Sequence, residues 1–206
     1  LRNLLMMRWI WQDALNLISL EQLTWELSKF ADYCLIFAKD YVYQDLISRY
    51  GEPYFFDEKN KPHKDDLAII AMGKMGAEEL NLSSDIDLIF VHQGQGETVV
   101  DPLKQQGSKA AKSIDNKKFF TKWGQGIINL LDKNTQDGFV FRIDMRLRPW
   151  GDGSDLAIHL SALEKYFAQH GRAWERFAWL KARIVNPVTF SDSLEALIKP
   201  FVFRYY

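Results

Sequence analysis

The sequence predicts an α/β fold, a small mixed sheet wrapped by helices, and three features lead to it. Two short runs, Leu67 to Met72 and Asp85 to His92, are largely apolar and have the length of buried strands rather than helices. A third stretch, Phe139 to Leu147, alternates apolar and polar residues with the period of two that a half-buried strand needs. On both sides of this region, apolar residues recur at the three- and four-residue intervals of amphipathic helices.

Composition sets the bounds. A chain of 206 residues, 47% hydrophobic and 26% charged, can bury a sizeable core, so disorder is not expected. With 26 basic and 27 acidic residues the net charge is −1, so no global field recruits nucleic acid or an anionic membrane, and neither is expected as a partner. Any phosphate chemistry must come from locally placed charge. The single cysteine, Cys34, lies in an apolar helical stretch, which excludes a disulfide framework and a Cys-based zinc site and favours a reducing, cytoplasmic setting. The longest apolar run, Leu67 to Met72, falls far short of the ~20 residues that span a bilayer, and no signal-peptide pattern appears. A start at Leu1 rather than Met, and an end at Tyr206 inside an apolar, helix-like stretch, read as a piece of a longer protein.

The elements follow in order. Trp9, Trp11, Leu15 and Ile18 indicate a first helix. Leu23, Leu27, Phe30, Cys34, Phe37 and Tyr41 lay one stripe along a second, opened by a Ser19–Gln22 capping box and closed by Gly51 and Pro53. After a polar turn, Asn60 to Asp66, the first strand runs into the glycine turn at Gly73, and the second strand follows a short loop. Gln93 to Ser113, polar and containing three glycines, suits a mobile surface loop. A helix is expected from Asp115 to Leu131, with Phe119, Phe120, Trp123, Ile127 and Leu130 on its apolar side. In the third strand Phe139, Phe141, Ile143, Met145 and Leu147 point one way, and Arg142, Asp144 and Arg146 the other. Pro149 and Gly151-Asp152-Gly153 end it. Ser161 with Glu164 then caps a helix that stops near Gly171, and helical segments Arg172 to Val185 and Ser193 to Tyr206 complete the chain.

The chemistry gathers where strands meet loops. Gly73 and Gly76, directly after a buried strand, let backbone amides approach phosphate oxygens closely, and Ser84 with Lys74 stands beside them. Asp85 and Asp87 share one face of a strand, so both carboxylates can grip one hard cation. A lone Asp-x-Asp is most simply a strand cap and a surface acid. With Asp144 as a third carboxylate, metal ligation becomes the better reading, and a third acid allows two Mg2+ ions to clamp the entering and leaving oxygens at phosphorus. Arg142, Arg146 and Arg148 can add contacts to phosphate oxygens or form one solvated stripe, and Lys74 can contact phosphate or remain a loop lysine. The four histidines have no ligand spacing.

These motifs also carry a family likeness. Met72-Gly73-Lys74-Met75-Gly76 through Asn81-Leu82-Ser83-Ser84-Asp85-Ile86-Asp87-Leu88-Ile89-Phe90 resembles the motif of bacterial glutamine synthetase adenylyltransferases, a branch of the DNA polymerase β-like nucleotidyltransferase superfamily. Asp137 to Pro149 is similar to a second family motif, and Gly171 to Phe177 with Lys181-Ala182-Arg183 to a third. The resemblance implies a nucleotidyltransferase core at 65–155, between a helical flank at 1–64 and a helical extension at 156–206. It also implies Mg2+-dependent transfer of AMP to or from a tyrosine of glutamine synthetase. The family enzyme has two such domains, and Phe-Arg-Ile-Asp-Met before Arg-Leu-Arg-Pro looks more like the amino-terminal copy, which removes AMP by phosphorolysis to give ADP. ATP-dependent adenylylation and a non-catalytic nucleotide-binding domain are the alternatives. ATP or ADP, orthophosphate, a PII-type signal protein and glutamine are the implied ligands and regulators.

Overall fold

A computed structural model describes residues 2–57, 59–100, 112–169 and 177–203. Its centre is a mixed sheet in which β4 (Ile86–His92) lies beside β3 (Leu67–Ala71), and β3 pairs in turn with β8 (Arg183–Ile184), both pairings antiparallel. Along its other edge β4 pairs in parallel with β6 (Ile143–Asp144) and then with β7 (Ala157–His159).

Every residue of β3 is buried, as the apolar run requires, and strand alternation divides the core in two. Leu67, Ile69 and Ala71 with Ile86, Leu88 and Phe90 face the helices α1 (Arg2–Ala14), α2 (Leu20–Tyr50) and α4 (Asn116–Asp132). Ala68, Ile70, Ile89 and Val91 face α5 (Leu160–Gln169) and the helix Ser191–Phe203, here α6. The strand edge beyond β8 is completed by a side chain: Asn186 Oδ1 accepts from the Ile69 amide at 2.9 Å, and its Nδ2 donates to Leu67 O at 3.0 Å.

Several expectations change. The buried face of α2 is Leu23, Leu27, Ala31, Leu35, Ala38, Val42 and Leu46, whereas Phe37 and Tyr41 are 71% and 61% exposed. The expected stripe is therefore rotated beyond Leu27. Close packing against α4 favours small residues over aromatic ones, and a Cβ on Gly126 would fall 2.5 Å from Val42 Cγ1. In α4 it is Leu131, not Leu130, that is buried. The flank is not wholly helical. β1 (Glu52–Phe56) and β2 (Pro62–Lys64) form a three-stranded antiparallel sheet with β5 (Gly96–Val99), and β5 lies inside the stretch expected to be loop. The rest of that stretch, 101–111, lies outside the described residues.

The third strand keeps its alternation but not its length. Phe141 and Met145 are buried while Arg142 and Arg146 are exposed, yet only Ile143 and Asp144 join the ladder. α5 starts at Leu160, and the ring of His159, not Ser161, caps it by accepting from the Ala162 amide at 3.2 Å. Arg183 and Ile184, expected in a helix, instead form β8, while 170–176 and 204–206 are outside the described residues. Two other caps agree: Ser19 Oγ accepts from the Gln22 amide at 3.2 Å, and Asp115 caps α4. No helix among the described residues is long and apolar enough to cross a membrane.

Phe90, fully buried on the α4 side of the central strand, gives a direct test of this core. Phe90→Ala should cost about 3–5 kcal/mol, read as a lower urea midpoint of the chain at unchanged slope.

Candidate functional site

The acidic cluster forms at the start of β4, where backbone register decides which side chains meet. In the parallel β4–β6 ladder Asp87 stands opposite Asp144, so their carboxylates leave the same face of the sheet on neighbouring strands. Asp85 precedes Asp87 by two residues and adds a like charge on the same side. The Ile86 amide donates to Arg142 O at 2.9 Å and ties the two segments together at this point. Asp144, more than fifty residues away in sequence, is thus brought beside the Asp85–Asp87 pair at one edge of the site.

Electrostatics report the crowding. The Asp87 carboxyl is held above its ordinary range, first by burial and then by the charges of Asp144 and Asp85, against the opposing pull of Arg146 and Lys74. Asp144 is shifted the other way, chiefly because Arg146 donates to it. The Arg146 side chain reaches both Asp144 oxygens, with Nε at 3.0 and 2.8 Å, and the Arg146 amide donates to Oδ1 at 2.8 Å. Asp85 pairs with Arg142 Nε at 3.0 Å. Two of the three acids are therefore occupied by arginines from the same segment, and among the described residues no group of three or more His, Cys, Asp or Glu is assembled as a metal cage.

The glycine turn forms the floor. α3, a single helical turn at Gly73–Gly76, follows β3, and Gly73 sits at a φ of 55°. A Cβ there would lie 2.9 Å from Asp87 Oδ2, so glycine serves both the turn and the acid above it. Gly76 differs from expectation. Its amide donates to Met72 O at 3.0 Å, and a Cβ would fall 1.9 Å from Lys181 O. Its bareness serves packing, and its amide is already engaged. Lys74 Nζ donates to Ser84 Oγ at 3.4 Å, and Ser84 Oγ donates to Asn81 Oδ1 at 2.7 Å, so both reach the mouth of the site. Arg148 turns one arm back onto Met145 O at 2.8 Å.

Sequence reasoning gave no role to Arg183 or Asp32. Arg183 Nη1 and Nη2 donate to Asp32 Oδ2 and Oδ1 at 3.0 and 2.9 Å, beneath the glycine turn. An acid on the apolar face of α2 was the available signal. Cys34 is no nucleophile, since burial pushes its thiol up to about 11. A cleft of about 700 Å³ opens at the far end of β4, lined by His92, His159, Lys117, Asp115, Asp155 and Trp150 among others, and none of the three acids lines it.

A raised carboxyl pKa makes a stability prediction. The folded state holds the Asp87 proton more tightly than the unfolded chain, so the charged carboxylate costs stability that appears as pH rises from the ordinary carboxylate range through the raised value. In the absence of divalent cations Asp87→Asn should raise the melting midpoint at pH 7, and the gain should vanish at pH 3, as read by thermal melts across that range.

Residues 1–192 match the model of the family described as glutamate-ammonia ligase adenylyltransferase. The chain is 54% identical over 206 residues to the bifunctional glutamine synthetase adenylyltransferase/adenylyl-removing enzyme of Acinetobacter baylyi, covering all of this chain and 21% of that protein. It is 46% identical to the protein of the same description from Shewanella oneidensis and 43% identical to that from Hahella chejuensis, in each case over the whole chain and 20% of the relative. The chain thus spans about a fifth of the length of these relatives.

Proposed function

The chain belongs to the glutamate-ammonia ligase adenylyltransferase family, and on that premise we propose that it carries the site that removes AMP from an adenylylated tyrosine of glutamine synthetase by phosphorolysis. The observation that carries this reading is the register that sets Asp87 beside Asp144 at the edge of a buried strand, with a glycine turn beneath them. The α/β architecture, a small mixed sheet flanked by helices, is that of a nucleotidyltransferase. The direction rests on the wording of Asp137 to Pro149; the relatives' description names both the adenylyltransferase and the adenylyl-removing activity.

Asp85, Asp87 and Asp144 would hold two Mg2+ ions. When bound, the ions would neutralise the carboxylates and draw charge from the phosphoryl oxygens. The fit is one of charge: acids this crowded, one of them with a raised pKa, would gain from a cation beyond the positive charge that Arg142, Arg146 and Lys74 bring to them in the folded chain alone. With cations on the carboxylates, those two guanidiniums could turn toward the oxygens of the transferring group. Lys74 and Ser84 stand where phosphates would enter. An oxygen of orthophosphate attacks the AMP phosphorus in line, the P–O bond to tyrosine breaks, and the products are ADP and free tyrosine. Alignment and charge balance carry the step, so no protein nucleophile is needed. Glutamine synthetase is the protein substrate in this reading, and a PII-type protein and glutamine are regulators of the whole enzyme.

In a protein carrying this chain, Asp87→Asn should lower phosphate-dependent AMP release at least about a hundredfold while circular dichroism stays unchanged. Full activity in the folded variant would end the carboxylate assignment. Gly73→Ala should reduce activity about tenfold or more by pressing on Asp87. The nucleotide product decides direction: ADP is expected, pyrophosphate from ATP would mark adenylylation, and magnesium-dependent binding without turnover would mark a binding module.

A further inference from the structure

Arg183 stands outside the acidic cluster yet makes the contacts that set its floor. It lies on β8 opposite Ala71, the last residue of the strand that enters the glycine turn. Besides its two bonds to Asp32, its guanidinium donates to Met75 O at 3.2 Å and Gly76 O at 3.4 Å. Asp32 is 7% exposed, and Lys29 and Glu78 extend the cluster, at 3.6 Å from Asp32 and 3.7 Å from Arg183 respectively. The ion pair alone would be a matter of stability. The two carbonyls are different, because they belong to the turn whose first residue lies under the Asp87 carboxylate. The residues leading into β8 hold the same turn sterically, with Lys181 O filling the space a side chain at 76 would need, and Lys181 also pairs with Glu79 at 2.6 Å. One polar and one steric hold therefore reach the turn from a segment more than a hundred residues away.

We propose that Arg183 is a positioning residue: anchored on Asp32, it fixes the Gly73–Gly76 turn at the height that leaves room for Asp87, so that displacing the turn moves the acid and Lys74 together. This rests on the reading of the site as a magnesium-dependent nucleotidyl-transfer centre.

The test is Arg183→Lys in the full-length protein, assayed for phosphate-dependent AMP release across a magnesium titration. Lysine keeps the charge opposite Asp32 but cannot reach both of its oxygens and two carbonyls at once. The expected result is a kcat lower by about tenfold or more and a half-saturating magnesium concentration raised severalfold, with the melting midpoint little changed. If Arg183→Lys does not fold, Asp32→Asn, which preserves shape and one acceptor, should give the same magnesium shift. Unchanged kcat and magnesium demand in a folded variant would overturn the proposal. So would activity that falls only with the folded fraction while magnesium demand stays fixed, since a purely structural role gives that pattern. Asp87→Asn measured alongside separates the failures: if it is inactive while Arg183→Lys is normal, only the positioning role falls, and if it is fully active, the site reading falls and takes this proposal with it.

Discussion

Like charges crowded at the edge of a buried strand are the constraint around which this structure is organised. Asp87 and Asp144 are neighbours because β4 and β6 run parallel in one register, and a slip of a single residue would send Asp144 to the opposite face. Burial and such crowding together are unfavourable in the folded chain alone, as the raised Asp87 carboxyl records. The fold tolerates it because Arg142 and Arg146 balance the other two acids and because the strand beneath is held from both sides. Acids that cost the folded chain stability in this way are what marks the cluster as the candidate site.

Rigidity comes from the two half-cores. β4 is covered on one face by α2 and α4 and on the other by α5 and α6, so its starting end cannot drift with any single helix. The glycine turn is held three ways: the Met72 amide donates to Asp87 O at 2.9 Å, Gly76 is pressed against Lys181, and Arg183 grips the turn's carbonyls. Sequence segments far apart thereby act on one short turn at the end of a buried strand.

Much of this was legible in advance because the signals were local. Leu67 to Ala71 reads as a buried strand and is one, and the alternation correctly put Phe141, Ile143 and Met145 on one half-core, although only two residues pair, Phe139 joins neither half-core while Val140 does, and Leu147 packs on the other. Asp87 and Asp144 stand on neighbouring strands with Gly73 under Asp87, while Asp85 is turned to Arg142. What escaped was set by partners distant in sequence. The outward turn of Phe37 and Tyr41 depends on the close approach of α4, and β2, with Pro62, His63 and Lys64 all exposed, carries no apolar signal. Arg183 could not be placed beneath a turn at 73–76 without knowing that β8 lies beside β3. Gly76 was legible as an essential glycine but not for its reason, which is the backbone of residue 181.

If the cluster binds cations as proposed, the bond between Arg146 and Asp144, two residues apart at the end of β6, bears on which ions it would accept. A guanidinium tethered so closely is a resident competitor that never diffuses away. Sodium or potassium carries no more charge than the arm it would have to evict, so neither gains by exchange. A doubly charged ion would, so under the proposed function the segment would set a valence threshold for entry before any question of size or coordination number arises.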